Sequence, residues 1–133
     1  MLYIVIEFKQ TSAILSIVLT SMGICFIVIA AVHSDAPVTP LAPLFTAWCA
    51  VNRRTMSGNI LGPEEKISVS EALELITMGA ARTLKLDQEI GSIEPGKRAD
   101  FAVLGSDPTE GDGSELKDVP VLGTISGGRV HLI

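Results

Sequence analysis

A chain of 133 residues can hold one domain with a real hydrophobic core, but not a complete large enzyme fold. Apolar residues make up 47 % and charged ones 19 %, which excludes a polar, disordered chain; a formal net charge of -5 argues against a surface built for nucleic-acid phosphates. Cys25 and Cys49 stand too far apart for CxxC spacing, so both read as buried free thiols of a reducing compartment rather than a disulfide or zinc scaffold.

The front of the chain is compositionally separate. Residues 10–32 contain no Asp, Glu, Lys, Arg or His. As a helix, residues 13–32 would rise ~1.5 Å per residue and cover roughly 30 Å, the thickness of a bilayer core. That reading makes 10–32 a single membrane pass. The second half, 24–32, also fits a strand buried on both faces, because parallel strands in α/β proteins are continuous apolar runs. That reading makes the chain cytoplasmic. Residues 1–32 therefore stand as one apolar unit, with the remaining 33–133 of ordinary soluble composition.

The run ends in His33-Ser34-Asp35-Ala36-Pro37. A carboxylate just past a buried strand occupies the place where α/β sheets and barrels put their chemistry, the C-terminal end of the strand. Pro37 disfavours a helical Ala36, and Pro40 and Pro43 stiffen the rest of the loop. Such a loop suits a metal ligand or general base at Asp35; a plain turn-capping Asp, with His33 on the surface, fits the same residues.

Further on, Ser68 and Glu71 have the spacing of a capping box. Apolar residues at Val69, Ala72, Leu73, Ile76, Ala80, Ala81 and Leu84 predict one amphipathic helix to about residue 84. Glu94-Pro95-Gly96-Lys97 has the residues of a type II turn, leading into a short buried strand at 101–104. The Gly-, Asp-, Ser- and Pro-rich stretch 105–118 reads as an exposed, solvated loop rather than a calcium site. Gly127-Gly128 between 121–125 and 129–133 is a hairpin signal, with His131 facing solvent.

Two segments together resemble a known family. His33-Ser-Asp-Ala-Pro-Val-Thr-Pro-Leu-Ala-Pro-Leu-Phe45 followed by Ala50-Val-Asn-Arg-Arg-Thr55 is similar to the last barrel segment of the amidohydrolase family 3 enzymes. Gly91-Ser-Ile93-Glu-Pro-Gly96-Lys97-Arg-Ala99-Asp100 resembles the Gly-x-Ile-x-x-Gly-Lys-x-Ala-Asp signature of the wider amidohydrolase superfamily. The resemblance covers residues 33–133 and implies an α/β fold. It would be the C-terminal fragment of a (β/α)8 barrel, with its last strand loop and helix to about 88, plus part of a small composite β-sandwich at 89–133. It implies hydrolysis of carbon–nitrogen bonds other than peptide bonds, with a divalent metal, zinc for preference, activating water. Asp35 matches the family's Asp beside the metal, which manages the proton of the attacking water; Lys97 and Asp100 match structural positions.

A full barrel needs ~250 residues. The family's metal site also draws on a His-x-His pair and two further His, whereas this chain has only His33 and His131. The expectation is a fragment that binds no metal stably and is inactive alone. It would be completed by an N-terminal barrel fragment or a homo-oligomer, and would meet a small amide substrate only when so completed.

Overall fold

The computed structural model describes residues 31–37 and 39–132. The apolar run 10–30 lies outside the described residues, and with it most of the strand or membrane helix expected at 10–32. Among the described residues no helix is long and apolar enough to cross a membrane. Ala31 and Val32, the end of the run, are buried in irregular backbone.

Helix α1, Pro43–Asn52, opens with Pro at its first position, where a missing N–H costs nothing. It ends at Arg53 in the left-handed conformation (φ 52°), whose N–H is donated to the Cys49 carbonyl at 2.8 Å. Helix α2, Val69–Leu75, starts on the expected capping box. The Glu71 N–H is donated to Ser68 Oγ at 3.2 Å, and the Ser68 N–H to Glu71 Oε2 at 2.8 Å.

The single helix expected to residue 84 is in fact two. Helix α3, Met78–Thr83, is separated from α2 by Ile76 and Thr77. Thr77 Oγ1 donates to the Leu73 carbonyl at 2.7 Å, and its backbone leaves helical geometry (φ -122°, ψ -91°). A hydroxyl bonding back to residue i−4 competes with the helical ladder and bends it. Periodicity does not register that competition, because the apolar positions stay in step across the break. Ala72, Ile76, Ala80 and Ala81 are buried as expected, but Leu84 is exposed. Helix α3 closes in a Schellman motif: Leu86 N–H reaches Ala81 O at 2.9 Å and Lys85 N–H reaches Arg82 O at 3.0 Å.

The core forms where α1 and α2 cross. Val32, Ala47, Val51, Ala72, Ile76 and Leu116 are its buried members. Leu116 corrects the reading of 105–118 as simply exposed. It begins a 3-10 turn, Leu116–Asp118, and is 2 % exposed. Around it, Trp48 Nε1–H is donated to Ser114 O at 2.7 Å and Asn52 Nδ2–H to Gly113 O at 3.0 Å. One apolar side chain and two α1 donors thus dock a polar loop that is otherwise largely exposed.

Three antiparallel strands follow in the order β1 (Phe101–Leu104), β2 (Val121–Ser126), β3 (Arg129–Leu132). The hairpin turn is Gly127-Gly128, both at positive φ as a two-residue hairpin requires. Gly123 is in the centre because a Cβ there would lie 2.6 Å from the His131 carbonyl oxygen. Pairing puts Val103, Gly123 and Leu132 in one row and Phe101, Ile125 and Val130 in the next, on the same face. Strand β1 is not the buried strand its composition suggests. Val103, Val130 and Leu132 are exposed, since among the described residues no second layer covers this face. His131 is exposed, as expected.

Candidate functional site

Asp35 sits in a tight turn directly after the buried Ala31-Val32 end of the apolar run. Its backbone is left-handed (φ 48°), a conformation that Asp tolerates better than most residues. The turn is held locally: the Asp35 N–H is donated to His33 Nδ1 at 2.8 Å. An imidazole that accepts at Nδ1 carries its proton on Nε2, so His33 presents an N–H to its surroundings. Thr39 Oγ1 donates to the Ser34 carbonyl and closes the loop from the other side. Among the described residues nothing pairs with the Asp35 carboxylate, which is exposed.

Beside this turn lies a cavity of about 350 Å³. Its floor is one face of α1, where Thr46, Cys49, Ala50 and Arg53 recur at helical spacing, with Phe45 at the side. His33, Ser34 and Thr39 close it before the helix; Arg54, Thr55 and Leu61 close it after. Arg53 is committed to structure, donating from Nε to Leu61 O at 2.9 Å and from Nη2 to Glu65 Oε2 at 2.8 Å. Burial pushes the Cys49 thiol above its ordinary range, which keeps it protonated and poorly nucleophilic. Of the cavity residues, most fall in the family-like segments 33–45 and 50–55, and Thr46, Cys49, Ala50 and Arg53 recur at helical spacing.

The Gly91–Asp100 signature resolves into packing. Gly91 (φ 96°) lies so close to α3 that a Cβ would meet Ala81 Cβ at 2.7 Å and Met78 Sδ at 2.9 Å. Gly96 (φ 95°) makes the turn, with Lys97 N–H donated to Glu94 O at 3.2 Å. Lys97 Nζ donates to Ser92 Oγ at 2.6 Å and lies 3.7 Å from Glu94 Oε1. The Ser92 hydroxyl and the Lys97 charge hold the Glu94 carboxyl below its usual range. These contacts hold the 92–97 turn together.

The acids of the 105–118 loop also serve their own turns. Asp107 Oδ1 accepts from Thr109 N–H at 2.8 Å and Oγ1–H at 2.6 Å; Asp112 Oδ1 accepts from Ser114 N–H at 2.9 Å. Those bonds lower both carboxyls. Among the described residues no three His, Cys, Asp or Glu side chains gather as cation ligands. With His33 Nδ1 spent on Asp35, the donor set among the described residues does not make a metal centre.

The described residues form a small helical cluster and a three-stranded antiparallel sheet, and comparison with known proteins gives the family. The amidohydrolase family profile matches residues 28–131, and the chain belongs to that family, in its family 3 branch. It is 40 % identical over 95 residues to N-substituted formamide deformylase of Arthrobacter pascens, covering 71 % of this chain and 18 % of that protein. It is 37 % identical over 100 residues to Protein LONG AFTER FAR-RED 3 of Arabidopsis thaliana, covering 74 % and 17 %. Imidazolonepropionase of Picrophilus torridus is 49 % identical over 41 residues, covering 31 % and 10 %. The chain thus spans less than a fifth of the length of these curated relatives. No solved structure matches it.

Proposed function

We propose that this chain is the C-terminal portion of a hydrolase of carbon–nitrogen bonds other than peptide bonds, with Asp35 as its residue nearest the chemistry. The observation that carries this is the exposed Asp35 carboxylate, in a left-handed turn where the Asp35 N–H is donated to His33, a residue that lines the neighbouring cavity. Family membership supplies the reaction class. In that role Asp35 takes a proton from the water attacking an amide carbonyl and returns it to the leaving amine.

In this reading residues 33 to about 88 correspond to the loop and helix that close a (β/α)8 barrel. Residues 89–133 are part of the small sandwich beside it, and the open face of β1–β3 is the side that the rest of the sandwich covers. A divalent metal, zinc for preference, belongs to the completed enzyme. Among the described residues no three candidate ligands gather, so in this reading the other ligands come from an N-terminal barrel portion or a second copy of the chain.

The chain alone is then inactive. Purified protein supplied with zinc should release no amine or acid from N-formyl and N-acyl amides. Co-expressed with the N-terminal portion of the Arthrobacter deformylase, cut before the matched segment, it should restore hydrolysis, and Asp35→Asn should abolish the restored activity. Turnover by the isolated chain would refute the inactivity, and full activity of the Asp35→Asn complex would refute the role of Asp35.

A further inference from the structure

Two methionines lie among the described residues, and the fold treats their sulfurs oppositely. Met56 is fully exposed (108 %). It takes the second position of the turn 55–58, closed by the Gly58 N–H on the Thr55 carbonyl at 2.9 Å. Around that turn the Thr55 N–H is donated to Asn59 O at 2.9 Å and the Asn59 N–H to Thr55 Oγ1 at 3.1 Å, while Arg54 and Ile60 form an antiparallel bridge. Backbone and hydroxyl groups make these bonds, and the Met56 thioether has no part in them. Met78 begins α3 and is half-buried. Its Sδ accepts from Lys97 Nζ at 3.9 Å, and Gly91 packs so closely that a Cβ there would lie 2.9 Å from the sulfur.

We propose that Met56 is an oxidation site, where a hydroperoxide is consumed without consequence for the fold, and that the 91–97 segment shields Met78 from the same reaction. With hydrogen peroxide the thioether lone pair attacks one oxygen. The S–O bond forms as the O–O bond breaks, sulfur gives up two electrons, and the other oxygen leaves with both protons as water. Attack needs an open approach to the sulfur. Met56 offers it from solvent; at Met78 the Lys97 ammonium lies against the lone pairs and Gly91 fills the space beside them. A sulfoxide is polar, so it is tolerated where the side chain already stands in water. The same group at Met78 would push against the backbone that packs on α3.

Peroxide treatment of the full chain, followed by trypsin and mass spectrometry, tests this. Cleavage after Arg54, Lys66 and Arg82 puts Met56 in peptide 55–66 and Met78 in peptide 67–82, each with a single methionine. In buffer, peptide 55–66 should gain its oxygen about tenfold or more faster than 67–82, and in urea the two rates should converge, since only the fold separates them. Met56→Leu, given the same brief treatment, carries every other methionine and is the reference for stability. Treated parent and treated Met56→Leu should show the same change in urea midpoint. Equal rates in buffer, or a difference that persists in urea, would overturn the assignment of the site. A larger loss of stability in the treated parent than in treated Met56→Leu would overturn its harmlessness.

Discussion

Asp100 and Gly127, 27 positions apart, are joined by a 2.6 Å hydrogen bond from the Gly127 N–H to Asp100 Oδ1. The other carboxylate oxygen, Oδ2, lies 3.2 Å from Arg98 Nη2, and one residue on, the Gly128 N–H is donated to Ala99 O at 3.0 Å. The end of the amidohydrolase signature therefore clips the tip of the β2–β3 hairpin, which gives a physical reason for an acid at that place in a non-catalytic motif.

Asp100→Ala should lower the free energy of unfolding by about 1–2 kcal/mol, the range for a hydrogen bond to a charged group that keeps some solvent contact. Asp100→Asn, which retains an acceptor oxygen but loses the Arg98 pair, should cost less. Urea denaturation of the three proteins measures the order; equal stability of Asp100→Ala and the parent would show that the clip is idle.

Glycines in the signature should separate into two kinds. Gly91→Ala introduces a Cβ at 2.7 Å from Ala81 and a strained φ of 96°, and should destabilise by about 2–4 kcal/mol through overpacking and backbone strain together. Gly96→Ala meets nothing within 4 Å and should cost only the left-handed strain, about 1 kcal/mol. Thermal melts of the two variants should differ clearly; coincident melts would contradict the close approach of Gly91 to α3.

Leu116 is the apolar anchor of the 105–118 loop. Leu116→Ala should destabilise by about 2–4 kcal/mol, the usual consequence of truncating a buried leucine. It should also shift the emission of Trp48, whose indole N–H is bonded to Ser114 O in the same loop. A stability within a few tenths of the parent would mean that the loop docks without it.

Acid sensitivity should be traceable to the α2 cap. The Ser68 hydroxyl and backbone N–H lower the Glu71 carboxyl from its ordinary value of 4.5. A carboxyl depressed in the folded state favours folding above its unfolded value, and that contribution is lost as pH falls through the folded one. Between pH 6 and pH 3 the parent should therefore lose more stability than Ser68→Ala, which removes the hydroxyl's larger part of the depression and keeps the backbone N–H. Parallel stability curves for the two would refute the assignment.

What could be read from the sequence is what is encoded locally. The capping box at Ser68 and Glu71, the Glu94–Lys97 turn and the Gly127-Gly128 hairpin each depend on a few adjacent residues, and each is present. Features set by distant partners were not legible. Residues 101–104 are as apolar as a core strand, yet their exposure depends on what lies opposite. Thr77 fits the helical spacing while its hydroxyl interrupts the helix. Leu116 is inconspicuous among Gly, Asp and Ser until Val51 and Ile76 are brought against it. Of the site, Asp35 was visible through family resemblance and its place after an apolar run. The cavity was not, because Arg54 and the α1 face meet only once the 53–61 loop folds back.

Strand β3 has consequences for how the molecule behaves as a population. Its four residues are all exposed, its outer edge has no strand partner among the described residues, and Leu132 is 79 % exposed. An open, apolar edge recruits other polypeptides indiscriminately. The concentration at which the isolated chain stays dispersed should therefore depend on whether this edge meets a second copy.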